Sequence, residues 1–403
     1  MITITDQPYC YTPIGQKLMV VCTSTNHANS GFRYVYDFGD FTVNVQPNGS
    51  GVGMLDLAPL FREKVKLTLD HYLTNSGTQS IIGTSCTIKE GWLVDGLFTI
   101  TDVGAAGIDN VVFFPAEYEI SDGYKPYSPA YWAINNANCY LLSERYKSTH
   151  QWSRANEFGL SNQNVYIPVR YGDGGLIINQ TANPYINNTI ENFVIEQFNS
   201  TNTLVQTDTI SVEVSNTRLQ YVGIYPSNLS GGYGLNEETI YYKYYGVDAE
   251  GGQCTRMYIF YLIDNDCRYD NVRLGWSNRK GGYDYFNFTK KSELTYNYDR
   301  KQYQKVIGSY NASAFDFNYS DRSITDRRTN VTKGLMVTSD WINKGEYEFL
   351  NSLLSSNDVW IIDGAVQIPV SVDSSSFTIK DGQQDGKLYN VSLNLKYSQP
   401  QGI

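Results

Sequence analysis

Asn-Val-Arg-Leu-Gly-Trp-Ser-Asn-Arg-Lys-Gly-Gly-Tyr-Asp-Tyr-Phe-Asn-Phe-Thr-Lys, residues 271–290, reads as a β-hairpin. Val272 to Trp276 forms one strand, Ser277 to Gly282 the reversal, and Tyr283 to Phe288 the return. Gly281 and Gly282 supply the left-handed positions that a tight reversal needs. Side chains alternate across a strand, so Asp284, Phe286 and Phe288 share one face and Tyr283, Tyr285 and Asn287 the other. Aromatics on both faces predict protein on both sides. A carboxylate on such a face needs a partner, and Arg273 or Arg279 across the hairpin is the expected one. Two roles stay open for this stretch. Trp276, Gly281, Gly282, Tyr283, Asp284, Tyr285, Phe286 and Phe288 form either a ledge between subunits or ordinary core.

The composition around the hairpin agrees with a mainly β fold. Of 403 residues, 34 are Tyr and 34 Gly, and only 18% are charged, against about a quarter in ordinary domains. Aromatic, turn-rich chains of this length point to two or three β-sandwich-like domains with short helices and long Tyr-rich loops. The expected division is 1–175, an N-terminal sandwich with an aromatic excursion; 176–300, a middle β domain; and 301–403, a C-terminal β domain with one short helix. The net charge of −10 opposes tight nucleic-acid binding, although an acidic wall would let DNA slide past without sticking. Charge is uneven: residues 271–330 carry 11 Lys and Arg against 6 Asp and Glu. Such a belt suits either solvent or an acidic neighbour.

Along the chain, strands are expected at 17–22, 32–38, 66–72, 82–89, 96–101 and 109–114, with a short helix over 56–65. Residues 121–160 carry seven Tyr and Trp residues among Pro, Ser and Asn, and read as a long ordered excursion. Trp132 and Trp152 in it are candidate contact residues. Strand patterns return over 206–215, 218–225, 239–246 and 255–263. Residues 310–330 read as a polar loop. Asp340 is placed to cap a helix bearing Ile342, Phe349, Leu350, Leu353 and Leu354 on one side. Val359–Ile362 and Val366–Val372 follow, and Pro369 marks the latter as an edge strand. Tyr389, Val391, Leu393, Leu395 and Tyr397 alternate with polar residues, a strand with one face on a core.

No chemistry stands out. His27, His71 and His150 are too few and too scattered for a histidine metal site. There is no nucleophile elbow and no phosphate loop, and Gly231 to Gly234 reads as a turn. Asp37 with Asp40, and Asp264 with Asp266, are acid pairs by proximity alone, the minimum for glycan hydrolysis. Six dispersed cysteines read mainly as small buried hydrophobes, with Cys10–Cys22 and Cys254–Cys267 as conceivable pairs. No catalytic, cofactor or metal site is expected. Neither a secretory leader nor a membrane-length apolar run is expected, so no membrane segment; Met257–Ile263 is strand-sized.

The hairpin motif Leu274-Gly275-Trp276 … Gly281-Gly282-Tyr283-Asp284-Tyr285-Phe286-Asn287-Phe288 resembles a family of virion structural proteins from tailed phages of Bacteroidetes hosts, related to crAss-like phages. Phe32-Arg33-Tyr34-Val35-Tyr36-Asp37 with Gly51-Val52-Gly53-Met54-Leu55-Asp56-Leu57 resembles the family's N-terminal part. Thr338-Ser339-Asp340-Trp341 with Val359-Trp360-Ile361-Ile362 resembles its C-terminal part. The turn departs from the family in carrying Arg279-Lys280 where small or apolar residues are common. The resemblance implies a non-enzymatic tail component, a hub or barrel ring. It would be built from copies of this chain, a hexamer or dodecamer, docked to other tail proteins with genomic DNA passing through. The implied place is the virion tail, assembled in the host cytoplasm. The alternative is a tail protein that binds host glycan or receptor through aromatics such as Trp132 and Trp152.

Overall fold

The structure is a computed structural model that describes residues 1–8, 11–65, 76–78, 82–117, 143–145, 165–180, 190–212, 219–229, 234–253, 255, 257–263, 268–310, 312–364, 366–373 and 389–398. Regular structure among them is almost entirely strand, as the turn-rich, aromatic composition requires. The chain forms two compact units: residues 1–265, 276–285 and 344–356, and residues 266–275, 286–343 and 357–403.

The first unit opens with two sheets around one core. One has the order β1 (Ile2–Asp6), β3 (Met19–Ser24), β6 (Val52–Asp56). The other runs β2 (Tyr11–Pro13), β9 (Leu97–Phe114), β8 (Ile82–Val94), β4 (Arg33–Asp37), β5 (Thr42–Val45), with β2 parallel to β9. Val20 and Cys22 from the first sheet meet Tyr34, Tyr36, Ile88, Ile108 and Phe113 from the second. Two tyrosine hydroxyls hold the layers together. Tyr34 donates to the Gly51 carbonyl at 2.6 Å, and Tyr36 lies 3.1 Å from the Cys22 Sγ. Tyr34 lies so close to Gly53 that a Cβ there would come within 2.3 Å of its ring, so this glycine makes room for the core.

Cys22 is a free, buried thiol, which removes the Cys10–Cys22 pairing; Cys86 is likewise free and buried, the hydrophobe-like use expected. Cys10, Cys139, Cys254 and Cys267 lie outside the described residues. The short helix α1 (Ala58–Phe61) sits inside the expected 56–65, and buries Leu57, Phe61 and Val65 against this core. The strands expected at 96–101 and 109–114 are one long strand, β9. β8 turns into it at Asp95-Gly96, whose φ values of 52° and 82° give the mirror-image turn that fits strand twist. The strand expected at 66–72 lies outside the described residues.

Further along, the same unit builds a five-stranded sheet: β10 (Val165–Val169), β16 (Tyr258–Leu262), β15 (Tyr241–Val247), β12 (Asn192–Phe198), β13 (Leu204–Ser211). Its buried face carries Ile167, Phe193, Ile195, Tyr242, Tyr244 and Phe260. A three-stranded sheet, β11 (Leu176–Gln180), β14 (Leu219–Gly223), β7 (Ser76–Thr78), belongs to this unit too. The Tyr242 hydroxyl is satisfied by the Ile224 carbonyl at 2.7 Å, as a buried polar tip must be.

The seven-stranded sheet has the order β18 (Tyr283–Phe288), β17 (Val272–Ser277), β23 (Val359–Asp363), β24 (Val366–Val372), β25 (Ser392–Tyr397), β22 (Ile324–Thr338), β19 (Glu293–Gln304). β25 alternates as expected, with Leu393 and Leu395 buried and Ser392, Asn394 and Lys396 exposed. Pro369 does not mark an edge, because β24 lies between β23 and β25. The ladder with β25 begins only at Val370, and the Pro369 carbonyl accepts from Ser398 N just past it. The missing N–H faces that same side, at the end of the β25 ladder, so the β23 ladder loses no bond. Residues 310–330 are not one loop: β20 (Ser309–Tyr310) pairs with β21 (Phe315–Asp316), and β22 begins at Ile324.

Helix α2 (Lys344–Ser355) starts later than Asp340 would place it. The Asp340 carboxylate accepts from Trp341 N at 2.7 Å and pairs with Lys290 at 3.0 Å, and Ile342 bridges to Tyr389 instead of entering the helix. Phe349, Leu350 and Leu353 are buried, as the spacing requires.

Candidate interaction site

The 277–285 stretch is interior. Asn278 closes the reversal: its side-chain oxygen accepts from Lys280 N and Gly282 N, and Gly281 adopts φ +87°. Gly281 packs on Phe114 and Ala116, and Glu117 N donates to the Arg279 carbonyl at 2.7 Å. Trp276 is fully buried, with its ring 5.2 Å from Phe349 and its indole N–H donating to Ser352 Oγ at 3.0 Å. The Tyr285 hydroxyl accepts from Leu176 N at 3.0 Å. Tyr283, Phe286 and Phe288 are buried as well, with Phe286 and Phe288 in edge-to-face contact. Of the two roles left open by the sequence, burial assigns core: side chains enclosed by their own chain offer no ledge to a neighbour.

Asp284 is 2% exposed, and its partners are neither Arg273 nor Arg279. Ser143 Oγ, Glu144 N and Asn278 Nδ2 donate to it instead. Burial pushes its pKa up to about 6, with those donors and the Arg145 charge holding it down from a higher value. Arg279 pairs with buried Glu144 at 3.2 Å, and Arg273 donates to Asn287 Oδ1 at 3.1 Å. Arg145 donates to the Tyr285 carbonyl and stacks 4.5 Å over Phe349. The sequence could not show that residues 143–145, 140 positions away, supply these partners. Trp132 and Trp152 lie outside the described residues.

Exposed aromatics gather in two other places. The first is the arm, the two-stranded ladder of β19 and β22 with its β20–β21 tip. Every residue of β19 is exposed. β25 pairs β22 only from Gly334 to Thr338, so the pairs from Tyr296–Lys333 to Gln304–Ile324 stand as two strands alone. Leu294, Tyr296 and Tyr298 share one face with Val331, Lys333 and Leu335. This face continues that of Leu395 and Leu393, buried on β25, but on the arm it lies open. At the tip Val306, Tyr310, Phe315, Phe317 and Tyr319 are more than half exposed, while Asn318 N bonds the Asp321 carboxylate and keeps the turn in shape. Apolar surface left open on this scale marks a contact site.

The second place is the outer face of the five-stranded sheet. Tyr166, Tyr261, Tyr241 and Phe198 form a row across four strands, with centroids 5.7, 5.3 and 5.0 Å apart. Lys243 lies 4.2 Å over Phe198, and Tyr245 donates to Glu196 Oε1 at 3.1 Å. Burial and the neighbouring Glu196 charge push the Tyr245 hydroxyl up to about 12, so it stays a neutral donor.

Asp37 is tied to Gly39 N and to Lys89 at 3.1 Å, and these contacts hold its carboxyl below the usual range. Asp40 is exposed, and Asp264 and Asp266 lie outside the described residues. His27 bonds the Ser24 carbonyl at 2.7 Å and packs on Gly51; His71 and His150 lie outside the described residues. Among the described residues no three His, Cys, Asp or Glu side chains converge as metal ligands, and no helix is long and apolar enough to cross a membrane.

No family model and no curated protein matches this chain. Among solved structures it is similar to a 1.5-MDa bacterial ice-binding adhesin studied for host cell surface retention, at 9% identity and a TM-score of 0.20, over 65% of this chain and 64% of that one. It is also similar to trypsin-activated α-2-macroglobulin from Escherichia coli, at 10% identity and a TM-score of 0.15, over 93% of this chain and 26% of that one. The chain thus spans less than two thirds of either structure, and scores this low carry no argument about fold or function.

Proposed function

We propose that this chain is a non-enzymatic structural protein that works by association, as a ring-forming component of a bacteriophage tail. One observation carries the reading: the β19–β22 arm displays Leu294, Tyr296 and Tyr298, a row of exposed apolar side chains with Lys333 beside it, and an aromatic tip to solvent. An isolated two-stranded ladder is marginal in water, and such a surface gains most when another protein covers it. The sequence resemblance to virion structural proteins supplies the setting, the tail, with copies of this chain and other tail proteins as partners. The acidic bulk, net −10, suits a conduit that lets DNA pass without holding it. Light scattering of the purified chain, with electron microscopy of particles that contain it, tests the reading. Multiples of the chain mass and ring-shaped density are expected. A monomer at every concentration, with virions that lack the chain, overturns it.

A second reading, recognition of host glycan, is favoured by the Tyr166–Tyr261–Tyr241–Phe198 row with Lys243 and Glu196 beside it. Binding to host polysaccharide that disappears on Tyr261→Ala, with the fold intact, would support it. Unchanged binding, or none in the parent chain, would remove it.

A further inference from the structure

We infer that the arm takes a second copy of this chain by strand addition: β19 pairs antiparallel with β19 of the partner about a two-fold axis, centred on Asn297. The inference rests on the association reading and assigns one of its contacts to one edge and one register; a two-fold contact closes at a pair, so a ring joins such pairs through a second contact.

The seven-stranded sheet ends at β18 on one side and β19 on the other. The two edges differ. On β18 the Tyr285 carbonyl is already taken by Arg145, and Tyr283, Asp284 and Tyr285 are buried. β19 is exposed along its whole length, and a long exposed edge is a template for another strand. The ladder register shifts between Lys301 and Gln302, where Arg327 is the extra residue on β22, and the bulge bends the ladder there. The straight part of the edge is therefore Glu293 to Lys301.

A two-fold axis normal to the sheet keeps each face of the strand on the same side, so only alternate registers exist. Centred on Asn297, Glu293 faces Lys301 of the partner subunit, twice, and Tyr296 faces Tyr298 of the partner subunit, twice. Opposite charges and aromatic pairs directly across are the favourable cross-strand combinations. The neighbouring registers are poorer. Centring on Tyr296 sets Glu293 against the partner's Asp299. Centring on Asp299 sets two carboxylates face to face, and centring on Arg300 two guanidinium groups. Centring on Tyr298 leaves Glu293 and Lys301 without an opposite charge across. Only the Asn297 register matches charge at its ends and rings near its centre. It also extends the open face of Leu294, Tyr296 and Tyr298 into a second, identical one.

Charge exchange tests it on the full chain. Glu293→Lys and Lys301→Glu should each weaken self-association about tenfold or more, because each sets like charges across the pair. The double exchange should restore it. Glu293 also pairs locally with Lys291, so restoration by the double variant separates the cross-copy contact from that local one. In parallel, Asn297→Cys should yield a cross-linked pair with a short bis-maleimide that the parent chain does not yield. If the parent associates but the exchanges change nothing, or position 297 does not cross-link, this register is wrong while the association reading stands. If the parent is monomeric throughout, both fall.

Discussion

Two hairpins follow one another in this chain, and their aromatic residues meet opposite fates. In β17–β18, Trp276, Tyr283, Tyr285, Phe286 and Phe288 are all buried. In β19–β22, Leu294, Tyr296, Tyr298 and Tyr303 are all more than two-fifths exposed. Aromatic content does not separate them; pattern does. β18 has large rings on both faces, which only enclosure on both sides can satisfy. The β19 face opposite Leu294, Tyr296 and Tyr298 carries Glu293, Thr295, Asn297, Asp299 and Lys301. From Glu293 to Asp299 the strand is apolar on one side and polar on the other, the pattern of a strand covered on one side only, and within one copy that side is open; Arg300 and Tyr303 beyond it depart from the pattern.

The sharpest way to break this contrast is to truncate one ring in each hairpin. Trp276→Ala removes a fully buried indole and its bond to Ser352, and should cost about 3–5 kcal/mol in chemical denaturation. Tyr285→Ser strips the Leu176 N–H of its partner and should also unfold the protein rather than disperse it. If either variant folds normally and merely loses association, the hairpin is a contact surface after all.

Two buried carboxylates sharpen the picture through pH. The folded Asp284 carboxyl, at about 6, binds its proton more tightly than an unfolded aspartate does. Its contribution is therefore full below about pH 4, falls as pH rises toward 6, and is flat above that, a change of about 3 kcal/mol. Asp284→Asn should erase that slope, as read by denaturation midpoints across pH. Glu90 runs the other way. Burial raises its carboxyl, but Ser24 and Asn26, each donating at 2.6 Å, and the Met1 ammonium 3.4 Å away together outweigh this and leave it depressed. Its stabilisation is present above the ordinary glutamate range and lost as pH falls through the depressed value. Glu90→Gln should remove that acid-side loss, while stability at neutral pH drops.

The smallest effect on stability belongs to the arm. Tyr296→Ser with Tyr298→Ser should change unfolding free energy by no more than about 0.5 kcal/mol per site, since both side chains are about half exposed on a surface strand. The same pair should nonetheless abolish association. A large loss of stability would mean that the rings pack within one copy.

Much of this fold was legible from the sequence. The alternation from Tyr389 to Tyr397, the bounds of β18 and the buried side of α2 follow from periodicity, because burial on one face imposes it. What escaped was non-local. Asp284 finds its donors in Ser143 and Glu144, and the two compact units interleave stretches far apart in the chain, so neither is marked by a shift in composition. Asp340 carries the right residue for a cap, but Lys290 holds it elsewhere. The arm was hidden because residues 310–330 are polar enough to read as a loop, although the strand pairing of Ile324 to Val331 with Tyr298 to Gln304 is continuous but for one bulge. The outer Tyr row was invisible for a related reason: four strands each contribute one ring, and only strand order brings them side by side.

The central claim, that the open aromatic face of the arm exists to be covered by protein, is tested most directly by light scattering of the parent chain beside the Tyr296→Ser/Tyr298→Ser variant at matched concentration. The account expects a multimer for the parent and a monomer with the same melting temperature for the variant. A parent that is already monomeric, or a variant that assembles just as well, would contradict it.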